Sequence, residues 1–216
     1  MDGQERRSPL HDEHLKLKAR MVPFAGWQMP VQYSGIIPEN QAVRSALGIF
    51  DISHMGQFRV TSSTSGQAEQ WLDSLLTNSV AQLQDGGGQY TLLLNEAGGV
   101  IDDLIVYRMT ADHYFLVVNA ARIDEDYAWM SQRLVDGITL TNESDDFAAM
   151  AIQGPETVEV CRRLFPDSDL CLHDFAWPRS QPTSAMSLCV AQVTRGKTAL
   201  NCFVLLVKDQ LGGSEA

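Results

Sequence analysis

Gln89-Tyr-Thr-Leu-Leu-Leu-Asn95, Glu96-Ala-Gly-Gly99 and Val100-Ile-Asp-Asp-Leu-Ile-Val-Tyr-Arg-Met109 decide the fold. Two β-rich runs flank a short turn-forming link, which is the pattern of a hairpin. After a polar break Tyr114-Phe-Leu-Val-Val118 supplies a third run, and the hairpin grows into an antiparallel meander. Helical stripes bracket it. In residues 67–80, Ala68, Trp71, Leu72, Leu75 and Leu76 recur at the spacing of one helix face. In residues 121–136, Ile123, Tyr127, Met130 and Leu134 share a face, with Asp124, Glu125 and Asp126 in the first turn, where carboxylates suit the helix dipole. Residues 39–47, closed by Gly48, and 155–164, opened by Pro155, complete the helix set. No fixed-period repeat is present, and nothing matches the strand-helix alternation of a parallel dinucleotide-binding sheet. The reading is an α+β fold of antiparallel sheets with packed helices.

Composition sets the outer bounds. The 216 residues are 44% hydrophobic and 20% charged, enough to bury a sizeable core and unlike collagen, coiled-coil or disordered sequence. With 27 acidic against 16 basic side chains the formal net charge is −11, so neither nucleic acid nor an anionic membrane is an expected partner. No apolar run is long enough for a membrane span, and residues 1–9 lack a signal-peptide core. A cytoplasmic protein is expected. Cys161, Cys171, Cys189 and Cys202 have no paired C-x-x-C spacing and read as free thiols. His11, His14, His113 and His173 are scattered without ligand spacing, so no metal site is expected.

The chemistry candidate lies inside the meander. Asp102-Asp103 interrupts an apolar run. Strand alternation places Asp103 with Ile101, Ile105 and Tyr107, and Asp102 with Val100, Leu104 and Val106. Burial raises the cost of an unpaired carboxylate, so each aspartate is either hydrogen-bonded to nearby backbone or poised toward a cationic or hydrogen-bonding ligand. Other motifs are weaker. Asp51-Ile-Ser-His54 reads as a turn with local hydrogen bonds more readily than as a catalytic cluster. Asp85-Gly-Gly-Gly88 is a loop with no helix after it to complete a phosphate cradle. Arg195-Gly-Lys-Thr198 imitates the end of a P-loop, but Ala191 stands where its first glycine belongs.

Longer motifs carry a resemblance. Arg20-Met-Val-Pro-Phe-Ala-Gly-Trp-Gln-Met-Pro-Val-Gln-Tyr-Ser34, Phe50-Asp-Ile-Ser-His-Met-Gly56, Asn95-Glu-Ala-Gly-Gly-Val-Ile-Asp-Asp-Leu104 and Gln153-Gly-Pro155 resemble, in order, the glycine cleavage system T protein, an aminomethyltransferase. The resemblance covers roughly residues 8–170. It implies a folate-binding aminomethyltransferase-like fold, here incomplete. The implied enzyme takes the aminomethyl group from the lipoylated H protein, releases ammonia and transfers the methylene carbon to tetrahydrofolate. Matched by motif, Asp103 takes the place of the family's catalytic carboxylate, and Met55, Tyr90, Tyr107 and Asn119 fall on positions lining the folate pocket. Aromatic and thioether surfaces suit a flat pterin, and a carboxamide both donates and accepts hydrogen bonds.

The resemblance stops where the composition changes. Residues 1–174 hold 25 acidic and 12 basic side chains, whereas 175–216 hold only Asp209 and Glu215 against Arg179, Arg195, Lys197 and Lys208. The family continues with Arg-Thr-Gly-Tyr-Thr-Gly-Glu-Asp-Gly-Phe-Glu-Leu, a later Gly-Leu-Gly-Ala-Arg-Asp and a C-terminal barrel, none of them readable here. Yet codons for Val190-Ala-Gln-Val-Thr-Arg-Gly196 and Lys197-Thr-Ala-Leu-Asn-Cys-Phe203 can encode the first of these motifs in another frame. A frameshift, genuine or a sequencing error, is therefore expected between about Leu170 and Val190, leaving 175–216 an out-of-frame, poorly ordered tail. Weak or no activity of the chain as written follows, with apolar surface exposed where further domains pack. A folate domain of a sarcosine or dimethylglycine dehydrogenase relative, and a non-catalytic folate-binding protein, are the alternatives.

Overall fold

The computed structural model describes residues 5–164, 186–189 and 201–207. The first quarter of the chain forms β1 (Arg6–Arg7), α1 (His11–Lys16), β2 (Arg20–Phe24), β3 (Trp27–Gln32), α2 (Ile36–Ser45) and β4 (Gly48–Asp51). Next come β5 (Gly56–Ser62), α3 (Gln67–Asp73), β6 (Gly88–Leu94), β7 (Val100–Thr110) and β8 (His113–Val118). These are followed by α4 (Ile123–Ser131), β9 (Ile138–Asn142), β10 (Phe147–Gln153), α5 (Thr157–Leu164), β11 (Met186–Cys189) and β12 (Asn201–Val207). The expected α+β class is the one adopted.

The meander is three strands of a five-stranded antiparallel sheet of order β6-β7-β8-β5-β9. Asn95 builds the β6–β7 turn: its Oδ1 accepts the N–H groups of Ala97 and Gly99, and Gly98 takes φ +79°. One face of this sheet carries Phe58, Val60, Leu104, Val106, Leu116 and Val118 against Trp71 and Leu72 of α3 and Met130 of α4. Burying each such side chain contributes about 1.5–3 kcal/mol before entropy is charged, so this layer holds the site's scaffold rigid. The opposite face carries a second cluster, Tyr107, Phe115 and Val117, which meets Ala149 and Phe147 of β10. β10 belongs to a four-stranded antiparallel sheet, β11-β12-β10-β4. A three-stranded sheet, β1-β3-β2, with β1 parallel to β3, completes the described residues.

Several elements differ from the sequence reading, each for a local reason. The first helix face is right, with Ala68, Trp71, Leu72, Leu75 and Leu76 all buried, but α3 ends at Asp73. There the Asp73 carboxylate turns to accept the Ser79 hydroxyl and the Val80 N–H. α4 stops at Ser131, so Leu134 lies beyond it and is exposed. α2 begins at Ile36 because Glu39 Oε1 accepts the N–H groups of Tyr33, Ser34 and Gly35 and fixes the entry, and Gly48 opens β4 rather than capping the helix. α5 begins two residues after Pro155. Gly154 has a positive φ and no room for a side chain, since a Cβ there would meet Ala46 O at 2.4 Å.

Cys161 lies buried on α5. Cys171, His173 and the motif at 195–198 lie outside the described residues, as do the side chains of Cys189 and Cys202. The proposed tail, 175–216, is described only at β11 and β12.

Candidate active site

A β-bulge aims the two aspartates. Leu93 pairs with Asp102 and Leu94 with Val100, leaving Ile101 as the extra residue. Ile101 therefore packs with the main core, not on the face of Asp103 where simple alternation places it. Beyond the bulge alternation resumes: Asp102, Leu104 and Val106 are buried, Asp103 is exposed, and Ile105 and Tyr107 join the second cluster.

Asn119, the residue after β8, ties the pair together. Its Nδ2 donates to Asp102 Oδ1 at 2.9 Å, to the Asp103 carbonyl at 3.0 Å and to Asp103 Oδ1 at 3.1 Å. Its backbone N–H donates to Asp102 Oδ2 at 3.2 Å. From the neighbouring strand Tyr90 Oη donates to Asp103 Oδ2 at 2.9 Å. Each Asp103 oxygen thus accepts one protein bond and keeps lone-pair capacity facing solvent. The bonds of Asp102 go to Asn119, seventeen residues on, and not to the local strand entry.

The other two sequence-predicted positions lie in the second cluster. Met55 packs there half-buried, and Tyr107 is only 1% exposed, so Tyr107 forms part of the floor. Gly56, next to Met55, lets β5 run tight against the end of β8. It pairs with Val118, and a Cβ on it would fall 2.5 Å from Val118 Cγ2 and 2.7 Å from Ile123 Cγ1. Only glycine lets β5 close against the end of β8 at this point.

Its place in the first turn of α4 marks Asp126 as a dipole-complementing residue, yet it is 0% exposed. The signal was its place three residues after Ile123, on the stripe that also holds Tyr127 and Met130. Burial first, then hydrogen bonding and repulsion from Asp102, push its pKa up to about 8.

A second network joins residues that no local sequence pattern links. Asp51 Oδ1 accepts the N–H and Oγ of Ser53, and its Oδ2 accepts from Ser8 Oγ and His14 Nε2, while Tyr33 Oη bonds His14 Nδ1. Burial alone would raise the Asp51 carboxyl, but the bonds from His14, Ser53 and Ser8 outweigh it and hold it below the usual range. The turn reading of 51–54 therefore describes Ser53 correctly and misses the long-range partners. His54 stands apart, edge-on to Phe24, with its pKa lowered by burial. A cleft of ≈ 300 Å³ lies alongside, lined by Arg6, Arg7, Trp27, Ser53 and Phe147 among others. Among the described residues no cluster of His, Cys, Asp and Glu is arranged to hold a metal, and no helix is long and apolar enough to cross a membrane.

This geometry coincides with a family match: the profile described as GCVT N-terminal domain matches residues 10–196. The chain belongs to the GCVT N-terminal domain family. It is 48% identical over 158 residues to an aminomethyltransferase of Chloroherpeton thalassium, covering 73% of this chain and 43% of that protein. It is 44% identical over 174 residues to an aminomethyltransferase of Desulfitobacterium hafniense, covering 80% and 46%. The chain thus spans less than half the length of these curated relatives. Among solved structures, the glycine cleavage system aminomethyltransferase T from Bartonella henselae superposes with a TM-score of 0.82 at 27% identity, over 97% of this chain and 57% of that one. The heterotetrameric sarcosine oxidase of a Corynebacterium species reaches 0.54 at 12% identity, a likeness of fold alone. In the GCVT N-terminal domain seen here, the motif-matched residues Tyr90, Asp103 and Asn119 form one hydrogen-bonded group, with Met55 and Tyr107 beside them in the apolar floor.

Proposed function

We propose that this chain carries the Asp103 half of a tetrahydrofolate-dependent aminomethyltransferase site of the glycine cleavage system. The reaction moves the aminomethyl carbon from the lipoylated H protein to tetrahydrofolate with release of ammonia. The observation that carries the reading is an exposed carboxylate on a rigid strand, oriented by Tyr90 Oη and Asn119 Nδ2. Charge develops on a folate nitrogen as it attacks the methylene carbon. A fixed carboxylate stabilises that charge or takes the proton, and needs no reorganisation to do so. Tyr90, 44% exposed, offers an aromatic surface beside it, and Met55 a thioether one. These groups fit a flat, hydrogen-bonding pterin.

The role is that of one wall of the site. The chain covers less than half of its curated relatives, so the 216-residue chain alone is proposed to turn over weakly or not at all, because misplacing reactants by about 1 Å costs on the order of 100-fold. The tail 175–216 is proposed to be read out of frame, and the gene's nucleotide sequence tests that: codons unable to yield the missing motif in the shifted frame refute it. The functional test is ammonia release and methylenetetrahydrofolate formation from aminomethyl-loaded H protein, using the chain restored in frame and extended to the relatives' length. Asp103→Asn is expected to cut the rate by at least 100-fold. An unchanged rate in that variant would remove Asp103 from the chemistry.

A further inference from the structure

Asp126 lies directly behind the group just described and makes no contact with its exposed face. It is 0% exposed, at the start of α4, and among the described residues no N–H or hydroxyl donor reaches either of its carboxyl oxygens. The Arg122 bond to the Ile101 carbonyl holds the start of α4 against β7 next to Asp102, whose carboxyl, only 7% exposed, is the group that acts on Asp126. The other charged groups facing it are Arg122, the residue before α4, and Glu125 on α4. Arg122 sends Nη2 to the Ile101 carbonyl at 2.8 Å and Nη1 to Glu125 at 2.6 Å, while its buried Nε makes no hydrogen bond to Asp126. Both oxygens of Asp102 accept from Asn119, while neither oxygen of Asp126 has a donor among the described residues. Two facing buried carboxyls cannot both ionise without large repulsion.

We infer that Asp126 is a positioning residue: as a neutral acid it donates to Asp102, which fixes Asn119 and, through Asn119, the orientation of Asp103. The chain of contacts is continuous, from Asp126 to Asp102, from Asp102 to both N–H donors of Asn119, and from Asn119 Nδ2 to Asp103 Oδ1. Losing the proton turns the first link into a repulsion and frees Asp102 from its register. Its elevated value, about 8, places that loss within reach of ordinary buffers. The catalytic consequence rests on the reading of Asp103 given above; the coupling itself does not.

Carboxyl and side-chain amide NMR of the 216-residue chain between pH 5 and 10 tests it. Asp126 is expected to titrate far above ordinary carboxylates, and the Asn119 Nδ2 signals to shift with the same midpoint. Asp126→Asn, whose amide mimics the neutral acid and can donate to Asp102, should keep the low-pH Asn119 signals across the whole range. Asp126→Ala should displace them at every pH. A normal carboxylate midpoint for Asp126, or Asn119 signals indifferent to its titration, overturns the inference. In the extended, active protein the alkaline fall in rate should vanish in Asp126→Asn, and an unmoved profile also counts against it. If the NMR coupling holds while Asp103→Asn leaves the rate intact, the functional reading fails and the coupling stands.

Discussion

Asp51 and Asp126 are two carboxyls withdrawn from water in one chain, and their surroundings differ in kind. Asp51 meets donors from Ser8, His14 and Ser53, which together outweigh the cost of burial and hold its pKa down. Asp126 meets a second carboxyl and holds its proton to about 8. Burial pushes both carboxyls up; donors outweigh it at Asp51 and none does so at Asp126. The Asp51 network bolts α1 and the segment before it to the end of β4, a structural task. The Asp102 and Asp126 pair stands behind an exposed carboxylate, where geometry has a chemical use. The contrast separates a knot that holds the fold from a support that orients a site.

The largest effect that would sharpen this contrast is on stability. Asp51→Ala leaves buried Ser8, His14 and Ser53 without their shared acceptor and should cost about 3–5 kcal/mol in urea unfolding. A loss under about 0.5 kcal/mol would erase the distinction.

The next is the pH dependence, which has opposite sign at the two sites. The folded-state pKa of Asp126 is raised, so its contribution is full below the ordinary aspartate range near 4 and is lost as pH rises to about 8. The slope approaches about 1.4 kcal/mol per pH unit. Asp51 is lowered, so its contribution is present above the ordinary range and lost as pH falls through its folded value. Urea midpoints from pH 3 to 9 should show Asp126→Asn flattening the alkaline limb and Asp51→Asn the acid one. Both variants flattening the same limb would break the comparison.

The smallest effect is expected at Asp103 itself. The residue is exposed, so Asp103→Asn should change stability by no more than about 0.5 kcal/mol while removing the proposed chemistry. A large destabilisation would make Asp103 a structural residue like Asp51.

Much of the scaffold was legible in the residues. The β6, β7 and β8 runs announce themselves because their apolar content is long and their turn residues are specific, and the α3 stripe is buried as its spacing dictates. β5 and β10 were not assigned. Gly56–Ser62 offers only Phe58 and Val60 as an alternating signal, and Phe147–Gln153 is rich in alanine, which favours helix by propensity and is overridden by its pairing with β4 and β12. The bulge at Ile101 leaves no local mark because its extra residue shows only against the partner strand. Tyr90, Asp103 and Asn119 are marked by motif resemblance and are brought together by the pairing of three consecutive strands, β6, β7 and β8. Asp126 was visible as an acid on an apolar stripe, but the carboxyl it faces belongs to β7.

The account's central claim is that Asp103, held by Tyr90 and Asn119, faces tetrahydrofolate. Its most direct test is the carboxyl NMR signal of Asp103 in the 216-residue chain as tetrahydrofolate is titrated to millimolar concentration, with Asp51 as the internal control. The account predicts a saturable shift at Asp103, a matching shift at the Asn119 side-chain amide and none at Asp51. A signal at Asp103 that stays fixed throughout the titration would contradict it.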